Sequence, residues 1–118
     1  MLSPENGGVN LADLILLIDQ KIEWHPEAVK DFYSLPSDEM RLDVLQQLVR
    51  ITLNPATGPE LEDKHGFDLK GYRKMYFCYA TFRIVYSVLD DGRCRIWGIG
   101  PRAGFAVYKQ VDDRISGS

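Results

Sequence analysis

The sequence contains little of what builds a metal centre or a disulfide framework. It has two cysteines and two histidines in 118 residues. Cys78 and Cys94 belong to separate predicted strands, with no second cysteine pair and no clustered histidine beside them. Structural zinc sites need four such ligands at characteristic spacings. We therefore expect no metal and no other cofactor, and interpret the two cysteines as half-buried thiols in a reducing compartment.

The sequence also lacks the marks of a secretory or membrane segment. Residues 11–18 form an apolar run, but Asp13 interrupts it, no positive charge precedes it, and no small-residue cleavage site follows. The run is too short to span a bilayer. We expect a cytoplasmic protein with no membrane partner. Residues 1–20 are interpreted as a partly flexible N-terminal extension, and residues 21–118 as a single domain.

An overall excess of positive charge is absent as well. The net charge is −3 and the pI is near 5.3, which by itself argues against binding to a nucleic acid backbone. The charges are unevenly distributed, however. Residues 1–63 hold 4 Lys/Arg against 12 Asp/Glu, residues 64–102 hold 8 against 3, and residues 103–118 hold 2 against 2. This asymmetry supports an anion-binding face on an otherwise acidic domain.

The hydrophobic pattern predicts an α+β fold. A short strand at residues 21–24 precedes a helix that begins at Pro26, with Val29, Phe32 and Tyr33 as its inner stripe. Ser37 caps a second helix, whose buried stripe recurs at four, four and three residues: Met40, Val44, Leu48 and Ile51. A loop over residues 58–71 leads to three antiparallel strands at about 71–78, 81–89 and 93–99, and residues 105–115 form a terminal helix. Residues 11–18 suit either a helix or an extra strand.

The alternation in the middle strand isolates an arginine. Phe82, Ile84, Tyr86 and Val88 should face one side of the sheet, which leaves Arg83 on the other side among apolar or small neighbours. An arginine in such a place either pairs with a carboxylate or binds an anion. The predicted strands offer few carboxylates. Arg83, together with Arg73, Lys74 and Arg102 in the same third of the chain, therefore favours a phosphate ligand.

These segments resemble the RelE/ParE toxin superfamily of bacterial toxin–antitoxin systems. The matching segments are IEW at residues 22–24, LKGYR at 69–73, FRIVY at 82–86 and IGPR at 99–102, followed by Tyr108. The resemblance covers residues 21–115. It implies two N-terminal helices and a C-terminal helix packed on a small twisted antiparallel sheet, with the opposite, concave face open to RNA. It also implies a cognate antitoxin, which wraps the toxin in a hetero-oligomer.

For the RelE branch the resemblance implies a ribosome-dependent mRNA endonuclease. In that reaction the 2′-hydroxyl attacks the adjacent phosphate, and no metal is needed. By position, Arg83 is similar to the arginine that stabilises the phosphate, Arg102 to the arginine proposed as general acid or charge stabiliser, and Tyr108 to the tyrosine that stacks on or orients the substrate. Lys74 is the fourth catalytic candidate. The residues assigned to RNA binding are Lys64, Lys70, Arg73 and Tyr76.

The chain departs from the RelE pattern in two respects. RelE toxins are typically basic, whereas this chain is acidic overall. RelE-like chains also place two basic residues alternately on one strand face, whereas here Arg73 and Lys74 are adjacent, so only one of them can face the site in a regular strand. We expect that residue to be Lys74, with Tyr76 on the same face. Two alternatives remain: a ParE-like inhibitor of DNA gyrase, and a toxin-fold binding module that has lost its activity.

Overall fold

The computed structural model describes residues 11–61, 63–64 and 67–117, and for residues 11, 14, 63 and 64 it describes the backbone. Its helices are α1 (Leu11–Lys21), α2 (Pro26–Tyr33), α3 (Asp38–Leu53) and α4 (Ala106–Gly117). The strands are β1 (Ile22–Trp24), β2 (Asp63–Lys64), β3 (Phe67–Asp68), β4 (Tyr72–Phe77), β5 (Phe82–Val88) and β6 (Cys94–Pro101). The predicted α+β class is confirmed. Residues 11–18 form a helix rather than a strand.

Local capping explains where α2 and α3 begin. Pro26 lies in the first turn of α2, and the Glu27 backbone N–H donates to Nδ1 of His25 at 3.1 Å. The Met40 backbone N–H donates to Oγ of Ser37 at 3.2 Å and caps α3 in the same way. His25 thus serves as a helix cap in this structure.

The main sheet is mixed rather than wholly antiparallel. Its strand order is β1-β6-β5-β4, and β1 runs parallel to β6, with Ile22 opposite Cys94. The β4–β5 and β5–β6 pairs are antiparallel, as predicted, and a register shift falls between Val85 and Tyr86. The predicted loop at residues 58–71 contains β2 and β3, which pair as a separate two-stranded sheet. The parallel edge strand is the main correction to the predicted sheet.

The first face of the sheet packs against α1, α2 and α3. The predicted stripe of α3 is confirmed, since Val44, Leu48 and Ile51 are fully buried. The predicted stripe of α2 is wrong in part: Ala28 is fully buried, whereas Tyr33 is 71% exposed. Val29 and Tyr33 line an apolar groove between α1 and α2, because α2 lies at the margin of this core.

The second face packs against α4 and is less open than expected. Val107 and Val111 of α4 join Val85 and Trp97 in a second buried cluster. The helix lies so close to β6 that a Cβ added at Gly98 would be 2.7 Å from the Val111 side chain. The expectation of an open concave face is therefore corrected, because α4 covers the part of this face that lies over β6. The part of the sheet face that α4 does not cover stays exposed.

An ion pair fixes α4 to the rest of the domain. Nη1 of Arg114 donates to Oδ2 of Asp31 in α2 at 2.6 Å and to the Trp97 carbonyl oxygen at 2.9 Å. The same Asp31 oxygen accepts from the Ile99 backbone N–H at 3.1 Å. Both side chains are mostly buried. These bonds hold α4 in a fixed position over β6.

The N-terminal region belongs only partly to the described chain. The predicted extension over residues 1–20 stays a prediction: residues 1–10 lie outside the described residues, and residues 11–20 belong to α1. Ile18 of α1 is buried in the first core. Across the described ranges, no helix has both the length and the apolar character needed to cross a membrane.

Candidate phosphate-binding site

Arg83 is a charged residue buried within the sheet. It lies in the middle strand, opposite Tyr76 of β4 and Gly100 of β6, and only 5% of it is exposed. Its Nη1 donates to the hydroxyl of Tyr108 on α4, and its Nη2 donates to the hydroxyl of Tyr76 at 3.4 Å. Its Nε is buried and has no hydrogen-bond partner. A buried guanidinium with an unused donor is suited to receive an anion.

Three cationic groups converge on the ring of Tyr76. The guanidinium carbons of Arg83 and Arg102 lie 5.1 and 5.7 Å from its centroid, and Nζ of Lys74 lies 5.2 Å away. Arg83 also lies 4.8 Å from the ring centroid of Tyr108. We call these five residues the cationic cluster. The predicted parity of β4 agrees with this placement, because Lys74 and Tyr76 share the face that carries Arg83.

The cations change the acidity of Tyr76. A side-chain hydrogen bond with Lys74 has the largest effect and lowers the pKa of the phenol, and the positive charges of Arg83, Lys74 and Arg102 lower it further. Partial burial acts in the opposite direction, but it does not prevail. Tyr76 is 37% exposed, so part of the residue is accessible from outside the domain.

The end of β6 forms the wall beside the cluster. After Arg102 the chain makes a 3-10 turn, Ala103–Phe105, in which Gly104 and Phe105 have φ of 67° and 56°. The Phe105 ring stacks on Tyr108 with centroids 6.2 Å apart. The Arg102 backbone N–H donates to the Thr81 carbonyl oxygen at 2.9 Å and joins this wall to the β4–β5 turn.

A cavity of about 480 Å³ opens between these two turns. It is lined by residues 79–81, residues 102–105 and Arg83. Tyr79 is fully exposed at the tip of the β4–β5 turn. Two arginines and two aromatic residues thus border one cavity, a combination that suits a phosphate and a stacked base.

Other predicted binding residues lie apart from the cluster. Arg73 lies on the opposite face of β4, where it pairs with Glu60 at 3.5 Å and donates to the Gly58 carbonyl oxygen at 2.7 Å. Lys70 is exposed before β4 begins, at the end of that strand away from Tyr76. The side chain of Lys64 lies outside the described part of the chain. Of the predicted residues, the structure therefore gathers Lys74, Tyr76, Arg83, Arg102 and Tyr108.

Sequence reasoning missed the turn that borders the cavity. Cys78, Tyr79 and Ala80 all have positive φ, between 53° and 64°, and Phe105 has a positive φ as well. Positive φ at non-glycine residues is uncommon. None of these four residues is a glycine, asparagine or aspartate, so the sequence carried no signal of a left-handed turn. Phe105 followed Gly104, which was the one available hint.

The cluster is electrostatically unbalanced. In the described part of the chain, no carboxylate or imidazole hydrogen-bonds or ion-pairs with Lys74, Tyr76, Arg83 or Arg102. Among the described residues, there is also no group of three or more metal-ligating side chains. Cations that lack internal counter-charges repel one another, and a bound anion relieves this repulsion. The arrangement can therefore stabilise negative charge on a phosphate.

Comparison with known proteins identifies the family. The model for the ParE toxin of the type II toxin–antitoxin system parDE matches residues 22–104. The chain belongs to this family, within the RelE/ParE superfamily, and is a toxin of a type II toxin–antitoxin system. No curated protein matches the chain in sequence.

Solved structures share its fold. A double arginine-to-alanine mutant of E. coli toxin RelE in the free state is 20% identical with a TM-score of 0.60, over 80% of this chain and 96% of that one. The toxin–antitoxin complex RelBE2 from Mycobacterium tuberculosis matches at 19% identity and a TM-score of 0.55, over 70% and 96%. The intact E. coli RelBE complex matches at 20% and 0.52, over 69% and 94%. At these identities the likeness concerns the fold.

Proposed function

We propose that this toxin cleaves mRNA on the ribosome through attack of a 2′-hydroxyl on the adjacent phosphate. The observation that carries the proposal is the convergence of Lys74, Arg83 and Arg102 on Tyr76, with none of the described carboxylates paired to these cations. Cleavage of this kind develops extra negative charge on a pentavalent phosphorane. Fixed cations aimed at that charge stabilise the transition state without needing to reorganise.

Each cation has a separate role in this proposal. Arg83 is held by two tyrosine hydroxyls, so its guanidinium is positioned before substrate arrives and binds the non-bridging phosphate oxygens. Arg102 is exposed at the cavity and donates to the leaving 5′-oxygen. Tyr108 orients Arg83 rather than stacking on substrate, because its hydroxyl accepts from Arg83 and its ring is already stacked with Phe105.

A cognate antitoxin completes the proposal. The related structures from E. coli and M. tuberculosis are toxin–antitoxin complexes. We infer that an antitoxin forms a hetero-oligomer with this chain in the cytoplasm and neutralises its cationic face. An acidic or amphipathic antitoxin segment would suit the excess of Lys and Arg over residues 64–102. Copurification, and growth restored by co-expression with the adjacent gene, would test this inference.

Inhibition of DNA gyrase is the second candidate, because the matching family model is that of ParE toxins. The two functions require different targets and are separated by one experiment. The toxin is expressed in a bacterial host, an abundant message is mapped by primer extension, and plasmid supercoiling is measured in the same culture.

Translation-dependent cuts within codons that disappear in Arg102→Ala support the nuclease. Arg50→Ala is the matched control, since Arg50 is exposed on α3 and bonds to Gln47. Growth arrest with intact mRNA and impaired supercoiling would assign the gyrase function instead. A folded toxin that causes no arrest would indicate a binding module without activity.

A further inference from the structure

The proposed cleavage needs a group that accepts a proton. The 2′-hydroxyl must lose its proton as its oxygen attacks phosphorus. Guanidinium groups stay protonated in proteins, which excludes Arg83 and Arg102. Since no described carboxylate or imidazole hydrogen-bonds or ion-pairs with Lys74, Tyr76, Arg83 or Arg102, the candidates within the cluster are Lys74 and the two phenols.

The two phenols, Tyr76 and Tyr108, differ in how exposed they are. Tyr108 is 5% exposed, its hydroxyl accepts a hydrogen bond from Arg83, and its ring stacks with Phe105. The hydroxyl of Tyr76 accepts a hydrogen bond from Arg83 and belongs to a side chain that is 37% exposed. Tyr76 is therefore the more accessible of the two phenols to a substrate bound at Arg83. Lys74 lies over the Tyr76 ring and is suited to act as the counter-ion of a Tyr76 phenolate.

We propose that Tyr76 is a catalytic residue whose phenolate oxygen takes the proton from the 2′-hydroxyl of the RNA. The proposal rests on the ribosome-dependent nuclease function inferred above. It reassigns a residue that sequence analysis placed only in RNA binding. It also supplies a proton acceptor on β4, the strand on which Lys74 is the one basic side chain facing the site because Arg73 faces the other side.

The electrostatics support this role. An effective general base has a pKa near the working pH, and a phenol titrates ordinarily near 10. The Lys74 hydrogen bond and the three nearby cations lower the pKa of Tyr76, so more of it is phenolate at neutral pH than for an isolated tyrosine. The same cations hold the phosphate, so one cluster prepares both the base and the electrophile.

The step is balanced as a proton transfer coupled to displacement. The O2′–H bond breaks and its proton moves to the phenolate, while the O2′–P bond forms. The P–O5′ bond then breaks, Arg102 stabilises the leaving 5′-oxygen with a hydrogen bond, and that oxygen takes a proton from water. The products are a 2′,3′-cyclic phosphate and a 5′-hydroxyl. Tyr76 ends as a neutral phenol and returns its proton to water.

The test is single-turnover cleavage of mRNA on programmed ribosomes across a range of pH. Tyr76→Phe keeps the ring over which the cations lie and removes the hydroxyl. We expect it to lower the rate by about a hundredfold or more, which is the usual contribution of a general base. The wild-type rate should rise with pH and level off near the pKa of Tyr76. Tyr76→His should restore part of the rate and level off at lower pH, because imidazole titrates near about 6.5.

The second readout is the titration of Tyr76 itself, which is measured without any cleavage assay. In protein labelled with ¹³C at the tyrosine ring, the resonance missing from Tyr76→Phe identifies Tyr76. It should titrate below the ordinary value for tyrosine, and at higher pH in Arg102→Ala. Tyr76→Phe with a wild-type rate overturns the proposal. A lowered rate with an unchanged pH profile assigns Tyr76 to orienting Arg83 and also overturns it.

A different result is expected if the protein is not a ribosome-dependent nuclease at all. If wild-type toxin does not cut mRNA on the ribosome, both proposals fail together. If wild type cuts, Arg83→Ala does not, and Tyr76→Phe is unaffected, the nuclease function stands and only the role of Tyr76 is overturned.

Discussion

The two faces of the main sheet are built from the same strands but contain different groups. The face under α1, α2 and α3 packs aliphatic and aromatic side chains, among them Leu48, Ile51 and Ile84. The face under α4 has a smaller apolar cluster and, at its edge, the buried cation Arg83. Burial of a charge is unfavourable unless it is paired. The first face therefore supplies most of the free energy of folding. Part of that stability offsets the cost of burying Arg83 on the second face.

Two arginines on neighbouring strands show the same difference. Arg73, on the first face of β4, is satisfied by Glu60 and by the Gly58 carbonyl oxygen. Arg83, on the second face of β5, is held by two neutral hydroxyls and keeps an unpaired Nε. The first arginine joins a loop to the sheet. The second remains available for a ligand, and this contrast predicts different results when each face is altered.

The largest expected effect is loss of cleavage in Arg83→Ala. Removing one stabilising group from a transition state costs about 3 kcal/mol, or roughly a hundredfold in rate. The thermal midpoint should not fall, because a buried charge without an ionic partner contributes little to stability. Cleavage on programmed ribosomes and thermal unfolding are measured together, with Arg50→Ala as the control. A folded Arg83→Ala protein that cleaves at the wild-type rate would contradict the assignment.

On the first face, Gly58→Ala should mainly reduce stability. A Cβ at Gly58 would lie 2.3 Å from the Lys74 carbonyl oxygen and 2.7 Å from the Tyr86 hydroxyl, so backbone must move. Overpacking of this kind costs about 2 kcal/mol. Urea denaturation measures the loss. Gly117→Ala is the matched control, because a Cβ at Gly117 would have no atom within 4 Å. Equal stability of the two variants would show that the loop after α3 is not packed as described.

Tyr86→Phe should have a smaller effect with a characteristic pH dependence. The buried hydroxyl donates to the Pro55 carbonyl oxygen at 2.8 Å and accepts from the Gly58 N–H at 3.0 Å, and its loss leaves both unpaired at a cost of about 1.5 kcal/mol. Burial raises the pKa of Tyr86 in the folded state.

The sign of that pH dependence follows from the shift. The unfolded phenol ionises first, near about 10, so this contribution to stability is present below that pH and is lost as pH rises toward the folded pKa. The thermal midpoint of wild type should fall between about pH 9 and 11, and that of Tyr86→Phe should fall less. An equal fall in both proteins would contradict burial of this hydroxyl.

The smallest expected effect is a gain in stability from Ala80→Gly. Ala80 has φ of 64°, a conformation that is unfavourable for residues with a Cβ and free of strain for glycine. The variant should gain about 1 kcal/mol. Ala103→Gly is the control, since its φ is not in the left-handed region, and should lose a little stability. A loss in Ala80→Gly would show that the turn is not strained.

Much of the fold could be predicted from local signals. Pro26 and Ser37 marked the starts of two helices, and period-two alternation placed Ile84 and Arg83 on opposite faces of β5. The same parity distinguished Lys74 from Arg73. These features depend on residues close together in sequence, which is why the sequence carries them.

The features that could not be predicted depend on contacts between distant segments. The parallel pairing of β1 with β6 joins residues more than seventy positions apart, and nothing local encodes it. The position of α4 depends on its contact with Gly98 and on the Asp31–Arg114 pair. As a result, the burial of Tyr108 and the accessibility of Tyr76 became evident only in the folded chain.

The most direct test of the account is cleavage of one mRNA by purified toxin, with and without ribosomes, alongside supercoiling by purified gyrase. We expect cuts only in ribosome-bound mRNA, with 2′,3′-cyclic phosphate ends, loss of those cuts in Arg83→Ala and normal supercoiling. Intact ribosome-bound mRNA together with inhibited gyrase would contradict the nuclease function.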